Sequence, residues 1–219
     1  MPLGKLTRGF LAFRDRTFLP QRAHFEQLAR DQQPRVMMIA CSDSRVDPAI
    51  LTNADPGDLF MVRNVANLVP PCQLDQAQHG ISAALEYGIK ALGVEHVIVF
   101  GHVDCGGIQA LLTADPALDE HSFIHRWLQI AAEARGRTLL IARDRPLEDQ
   151  LRILEQEAIK TSLANLLTFP WIEERVAGGR LRLHGWSFDI EQGEIHAYVP
   201  AQDAFEPLTL KLAAHLQGG

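Results

Sequence analysis

Val36-Met37-Met38-Ile39-Ala40 runs straight into Cys41-Ser42-Asp43-Ser44-Arg45, and His96-Val97-Ile98-Val99-Phe100-Gly101 runs straight into His102-Val103-Asp104-Cys105-Gly106-Gly107. Each is a short apolar run that stops at a turn rich in chemically active side chains. Asp58 to Val62 (DLFMV) is a third run of the same kind. Such runs suit strands buried on both faces of a parallel sheet. Between them lie helical patterns. Gln78 to Leu92 places Ile81, Leu85, Tyr87, Ile89 and Leu92 near one face, with Gly93 as a C-cap. Ser122 to Ala134, opened by Ser122 as an N-cap, and Leu147 to Leu167 are two longer helical stretches. Arg180 to Ile190 and Glu194 to Val199 read as strands around a Gln192-Gly193 turn. Strands alternating with helices predict an α/β fold with a mainly parallel sheet. Sites in such folds form beyond the carboxyl ends of the strands, which is where Cys41 and His102 fall.

The rest of the chain narrows the function classes. Its 219 residues, 47% hydrophobic and 22% charged, suit one domain, or one domain with arms. The net charge of -6 with no basic stripe argues against a nucleic-acid partner. No apolar run reaches the roughly 20 residues that span a bilayer, so no membrane partner is expected. Met1 to Leu19 mixes Lys5, Arg8, Arg14 and Arg16 with apolar residues but has no continuous apolar stretch of the secretory kind. Its basic bias resembles a transit peptide. Asp15 and Glu26 interrupt that bias and favour a helix packing on the fold or on a partner subunit. Three cysteines do not make a disulfide framework, and a reducing cytoplasm is expected.

His102 and Cys105 form an H-x-x-C unit after one strand, and Cys41 follows another. Two thiolates and an imidazole favour zinc over magnesium or calcium. Three protein ligands leave one position open, as in a catalytic site. Asp43 and Arg45 in the same turn are a surface ion pair on the bland reading, worth roughly 0–1 kcal/mol. Beside zinc ligands, Asp43 instead bonds a metal-bound water or takes the fourth position itself, and its pairing with Arg45 decides between the two.

Cys41-Ser42-Asp43-Ser44-Arg45 together with Gly101-His102-Val103-Asp104-Cys105-Gly106-Gly107 resembles the paired signature of the β-class carbonic anhydrases. The likeness extends through Pro56-Gly57-Asp58-Leu59-Phe60, Arg63 to Pro70 and Glu86-Tyr87, with a weaker echo in Leu183 to Ile190. It implies a four-stranded parallel sheet with an added antiparallel strand, flanked by helices. Residues 1–33 would be an N-terminal helical arm for dimerisation, 34–200 the zinc-binding core and 201–219 a tail. It implies one zinc per chain on Cys41, His102 and Cys105, Asp43 and Arg45 as a catalytic dyad, and a homodimer or dimer of dimers. The reaction implied is reversible hydration of carbon dioxide to bicarbonate by hydroxide generated on zinc. Gln32 falls at a pocket glutamine that steadies bicarbonate, Phe60, Val65 and Tyr87 at apolar pocket positions, and Gly106 beside the bound ligand. Tyr87 would reach across the dimer interface. By themselves Phe60, Val65 and Tyr87 read as core residues.

Members that close the site and bind regulatory bicarbonate carry a tryptophan where this chain has Met38, so the open form is expected, with water rather than Asp43 on the metal. His79 is a candidate proton shuttle set against a solvated or capping role. His96, His121, His125, His184 and His196 lack partner spacing and read as structural or surface residues, and Cys72 has no assigned role. The competing readings are a carbon disulfide or carbonyl sulfide hydrolase on the same fold and a zinc- or bicarbonate-binding module without catalysis. The presence of Asp43, Arg45 and all three ligands weighs against the second.

Overall fold

A computed structural model describes residues 2–75, 77–113 and 122–218. The chain divides into two units, Met1–Gln33 and Pro34–Gly219. In the first, helix α1 (Pro2–Phe13) passes into a wider π-type turn at Arg14–Phe18, and α2 (Arg22–Leu28) follows. Pro20 separates the two segments, since its ring cannot sit in a helix interior. Phe25 of α2 gathers Phe13 edge-on at 5.8 Å and Phe18 at 5.0 Å between ring centres.

The second unit is a single sheet with helices. Its strands are β1 (Val36–Cys41), β2 (Leu59–Asn64), β3 (His96–His102), β4 (Arg182–Asp189), β5 (Glu194–Val199) and β6 (Ala204–Pro207). They lie in the order β2-β1-β3-β4-β5-β6. The first four are parallel, and β5 is the expected antiparallel addition. A further antiparallel strand, β6, extends the sheet beyond it. Its four residues end on Pro207, which cannot donate to a ladder and suits an edge.

The remaining helices are α3 (Pro48–Thr52), α4 (Gly80–Glu86), α5 (Gly106–Thr113), α6 (Phe123–Leu128), α7 (Ala132–Ala142), α8 (Leu147–Leu166), α9 (Pro170–Ala177) and α10 (Leu210–Gly218). The helix expected over Gln78 to Leu92 begins at Gly80 and widens into a π-type turn at Tyr87–Ala91. Ser122 does cap α6, accepting the His125 N–H at 3.1 Å. The helix expected to run on to Ala134 is instead interrupted by a tight turn at Gln129–Ala131. That turn re-aims the chain so that Leu128, Ala131 and Ala134 all enter one apolar cluster.

Alternation along the strands sorts the core. Met37, Ile39, Val97 and Val99 pack with Leu85, Ile89, Ile159, Leu166 and Ile172 from the helices. Met38, Ala40, Ile98, Phe100 and Phe188 form the opposite face. A third cluster closes the carboxyl end of the sheet and holds Cys41 and Cys105 among Ala66, Leu68, Leu128 and Leu154. Helix α8 sits deep on β3 and β4 because both strands offer a glycine to Ile159. A Cβ at Gly101 would meet Ile159 Cδ1 at 2.8 Å, and one at Gly185 would meet Ile159 Cγ2 at 2.7 Å. Any larger residue there forces Ile159 to shift, and the helix with it where the side chain cannot give.

Candidate metal centre

Strands β1 and β3 are hydrogen-bonded neighbours, so their carboxyl ends deliver Cys41 and His102 to one place. The loop after β3 then turns back through Asp104, which adopts a left-handed conformation (φ 59°), and presents Cys105. Aspartate tolerates that region better than most residues. The donor atoms of Cys41, His102 and Cys105 lie within 4.8 Å of one another, and all three residues are buried. The two sulfurs are 3.9 Å apart.

Hydrogen bonds leave the inner ends of these side chains directed at one another. His102 Nδ1 lies 2.9 Å from the Val103 carbonyl, which fixes Nδ1 as the protonated nitrogen. His102 Nε2 is buried with no hydrogen-bond partner. The sulfurs are met by backbone N–H groups, those of Asp43 and Ala66 at Cys41 and those of Gly107 and Ile108 at Cys105. Ala66 reaches Cys41 from a left-handed turn (φ 63°) after β2, at a cost of roughly 1–2 kcal/mol for a residue with a Cβ. The Val65-Ala66 turn rests directly on Gly107, where a Cβ would meet Val65 Cγ1 at 2.8 Å. Trp127 of α6 holds it from outside, donating its indole N–H to the Val65 carbonyl at 2.7 Å.

The bond between the two sulfurs pulls their pKa values apart: it lowers that of Cys41, while the same bond and then burial push Cys105 up. Burial opposes charge on His102, but the Cys41 sulfur, the Val103 carbonyl and Asp43 together outweigh it and the imidazole pKa is raised. Two thiolates so close require a cation. A zinc–sulfur bond of about 2.3 Å at a tetrahedral angle places two sulfurs about 3.8 Å apart, and the orphaned Nε2 completes a three-donor set. The residues fit a resident divalent metal.

Asp43 stands beside this set, with Oδ2 at 3.8 Å from His102 Nε2. Arg45 grips it with both faces of the fork, Nε to Oδ1 at 3.0 Å and Nη2 to Oδ2 at 2.7 Å, and its backbone N–H adds a bond at 2.9 Å. The Arg45 bonds hold the Asp43 carboxyl well below the usual carboxylate range. Arg45 Nη2 also donates to the Asp104 carbonyl at 2.9 Å, tying the Cys41 turn to the Cys105 loop.

The other sequence candidates spread out. Gly106 opens α5 next to Cys105, and a Cβ there would enter open space. Val65 is half-exposed above Gly107. Phe60 and Tyr87 meet each other at 5.9 Å, but Phe60 pairs with Met37, four residues before Cys41. At about 3.3 Å per residue that is roughly 13 Å down the strand from the donor set. Gln32 belongs to the N-terminal unit, where its backbone N–H bonds the Asp31 carboxylate at 2.8 Å. His79 is paired with Asp75 at 2.7 Å. His125 meets Gln129, His196 approaches Glu194 at 4.0 Å, and His121 lies outside the described residues. His96 and His184, which carry no pairing signal in the sequence, bond each other at 3.0 Å across β3 and β4.

Two residues of the site had no place in the sequence reading of the reaction. Arg63 donates to the carbonyls of Cys41 (2.9 Å), Asp43 (2.7 Å) and Val46 (2.7 Å), fixing the whole first turn. Glu155 of α8, 4% exposed, accepts the Cys105 N–H at 3.0 Å, and burial pushes its pKa up to about 7. Its signal was an acid on the apolar side of a helix, between Leu151, Leu154, Ala158 and Ile159.

A family model described as carbonic anhydrase matches residues 36–195. The chain is 42% identical over 176 residues to beta carbonic anhydrase 5, chloroplastic, of Arabidopsis thaliana, covering 80% of this chain and 58% of that one. To a carbonic anhydrase of Synechococcus elongatus it is 38% identical over 191 residues, covering 87% and 70%. The solved β-carbonic anhydrase CcaA superposes with a TM-score of 0.90 at 37% identity, over 95% of this chain and all of that one. A tetrameric β-carbonic anhydrase of Sordaria macrospora superposes at 0.78 with 26% identity, over 90% and 96%.

Proposed function

The chain belongs to the β-class carbonic anhydrase family, and from that premise we propose that it catalyses the reversible hydration of carbon dioxide to bicarbonate and a proton, with one zinc ion held by Cys41, His102 and Cys105. The observation that carries this reading is the buried donor set with its orphaned His102 Nε2 beside an arginine-held aspartate. Bound there, zinc supplies Lewis-acid chemistry that makes hydroxide available from water near neutral pH.

The chain's own residues supply orientation. Asp43, ionised and acceptor-only, takes the proton of the attacking oxygen into a hydrogen bond and turns a lone pair toward the substrate carbon. Arg45 occupies both carboxylate oxygens, which supports the open form of the site, with Asp43 kept as an acceptor rather than a ligand. Val65 and Gly106 form the near wall of the substrate space. Phe60 and Tyr87 stand too far down the strand to serve their own centre, which supports their entering the pocket of a second subunit. Leu3, Leu6 and Phe10 of the N-terminal unit recur on one helical face suited to a partner. A homodimer, alone or paired into a tetramer, is part of the proposal. So is a reducing, cytoplasmic setting that keeps Cys41 and Cys105 as thiolates; no helix among the described residues is long and apolar enough to cross a membrane.

The test is stopped-flow carbon dioxide hydration with zinc quantified on the same sample and carbonyl sulfide turnover run in parallel. Fast hydration at about one zinc per chain supports the reading. Stoichiometric zinc with turnover of carbonyl sulfide alone would overturn it.

A further inference from the structure

Glu155 is a buried acid that the proposed chemistry does not use. Among the described residues no lysine or arginine pairs with it, and its Oε2 is buried without a hydrogen-bond partner. Burying a carboxylate on such terms is costly, and an apolar residue would pack against Leu151, Leu154 and Ile159 at no such cost. What the position gains is a backbone donor from the metal loop, with a second amide directed toward it. The left-handed Asp104 turns consecutive amides to one side, the arrangement that forms an anion-binding nest. The Cys105 N–H reaches Glu155 Oε1 at 3.0 Å, and the Asp104 N–H is directed to the same carboxylate.

We propose that Glu155 is a positioning residue for the metal loop: by filling the nest of Asp104 and Cys105 it fixes the turn that brings the Cys105 sulfur to 3.9 Å from that of Cys41. The inference rests on the metal-site reading above. Without the carboxylate the Cys105 amide is a buried donor with no acceptor, and the loop satisfies it only by rolling outward and carrying Cys105 with it. The side chain acts by reach, through its length from a helix anchored on the sheet, and not by contact with any substrate. Outer partners of this kind are typically worth about 10–100-fold in metal affinity.

Reach and charge separate in two conservative variants of the zinc-loaded full chain. Glu155→Gln keeps the length and an acceptor oxygen but loses the charge. Glu155→Asp keeps the charge but is shorter by one carbon–carbon bond, about 1.5 Å. Zinc loss to a chelator is measured for both, together with the thiolate-to-metal absorption of cobalt-substituted protein and far-ultraviolet dichroism as a check on folding. We expect Glu155→Gln to hold zinc within about threefold of the parent with the same cobalt spectrum. Glu155→Asp should lose zinc at least tenfold faster with an altered one. Equal behaviour of the two variants, or a better-holding aspartate, would overturn the proposal. Carbon dioxide hydration is read on the same samples: a parent that binds zinc without hydrating carbon dioxide sinks the proposed function while leaving the ordering of the variants legible.

Discussion

Strand β3 starts with His96 and ends with His102, and the two imidazoles meet different partners at Nδ1. At the amino end, His96 Nδ1 meets His184 Nε2 at 3.0 Å, beside a cavity of ≈ 140 Å³ walled by Val36, Ile98, Trp186 and Leu216. At the carboxyl end, Nδ1 of His102 is occupied by a carbonyl and Nε2 is left facing two sulfurs. His102 is buried and His96 only partly so, but burial alone does not set their chemistry apart. What differs is the atom the neighbours leave over. A histidine whose partner is another histidine can settle its needs by sharing a proton; one set among thiols and unpaired at Nε2 needs a cation.

The sharpest way to break this contrast is to remove each histidine in turn. His102→Ala should lose zinc and reduce carbon dioxide hydration to the level of a metal-free control, whereas His96→Ala should keep about one zinc per chain, both read by metal analysis and stopped flow. Zinc loss in the His96 variant would mean that the two ends of the strand are not independent. Next in size is Arg45→Lys, which surrenders the bidentate grip on Asp43 and the bond to the Asp104 carbonyl. Activity should fall about 10–100-fold with zinc retained, and unchanged turnover would remove Arg45 from the mechanism.

The amino end makes its own prediction in acid. Burial, then His96 and Arg182, lower the His184 pKa from 6.5 to about 4. A base held neutral in the fold contributes its stability above pH 6.5, and that contribution drains away as pH falls towards 4, because the unfolded chain takes up the proton first. The slope approaches 1.4 kcal/mol per unit, about 3 kcal/mol in all at most. His184→Gln should therefore flatten the fall in melting temperature between pH 7 and 4.5 without altering zinc content. A variant that tracks the parent through that window would place the acid sensitivity elsewhere. The smallest effect belongs to Trp127→Phe, which removes one bond to the Val65 carbonyl. A loss of about 1 kcal/mol in denaturant unfolding, with zinc unchanged, is expected; a loss of metal would make the tryptophan part of the centre.

The carboxyl end of β3 was legible in the sequence because its chemistry is local. Cys41, Asp43 and Arg45 share one turn, and His102 and Cys105 share another, each directly after an apolar run. The first three strands came from the same apolar runs and the next two from the Gln192-Gly193 turn; only the brief β6, four residues ending in proline, escaped. The amino end was not legible. His96 and His184 are 88 positions apart and meet only because β3 and β4 pair in a particular register. Glu155 was hidden for the same reason, 50 positions from the amide it accepts. Phe60 and Tyr87 are a different case, since the pocket role proposed for them requires a second subunit.

Ile159 and Glu155 occupy successive turns of α8, four residues apart on one face. The first is seated in the hollow shared by Gly101 and Gly185, and the second bonds the amide of Cys105. The two missing methyl groups thus act as a gauge: they set how low the helix rides, and that height is passed along one helical turn to the metal loop. Substitutions at these three core positions should consequently be epistatic. Alanine at either glycine should be tolerated far better when Ile159 is trimmed to valine or alanine, and the coupling should register in zinc affinity as well as in stability.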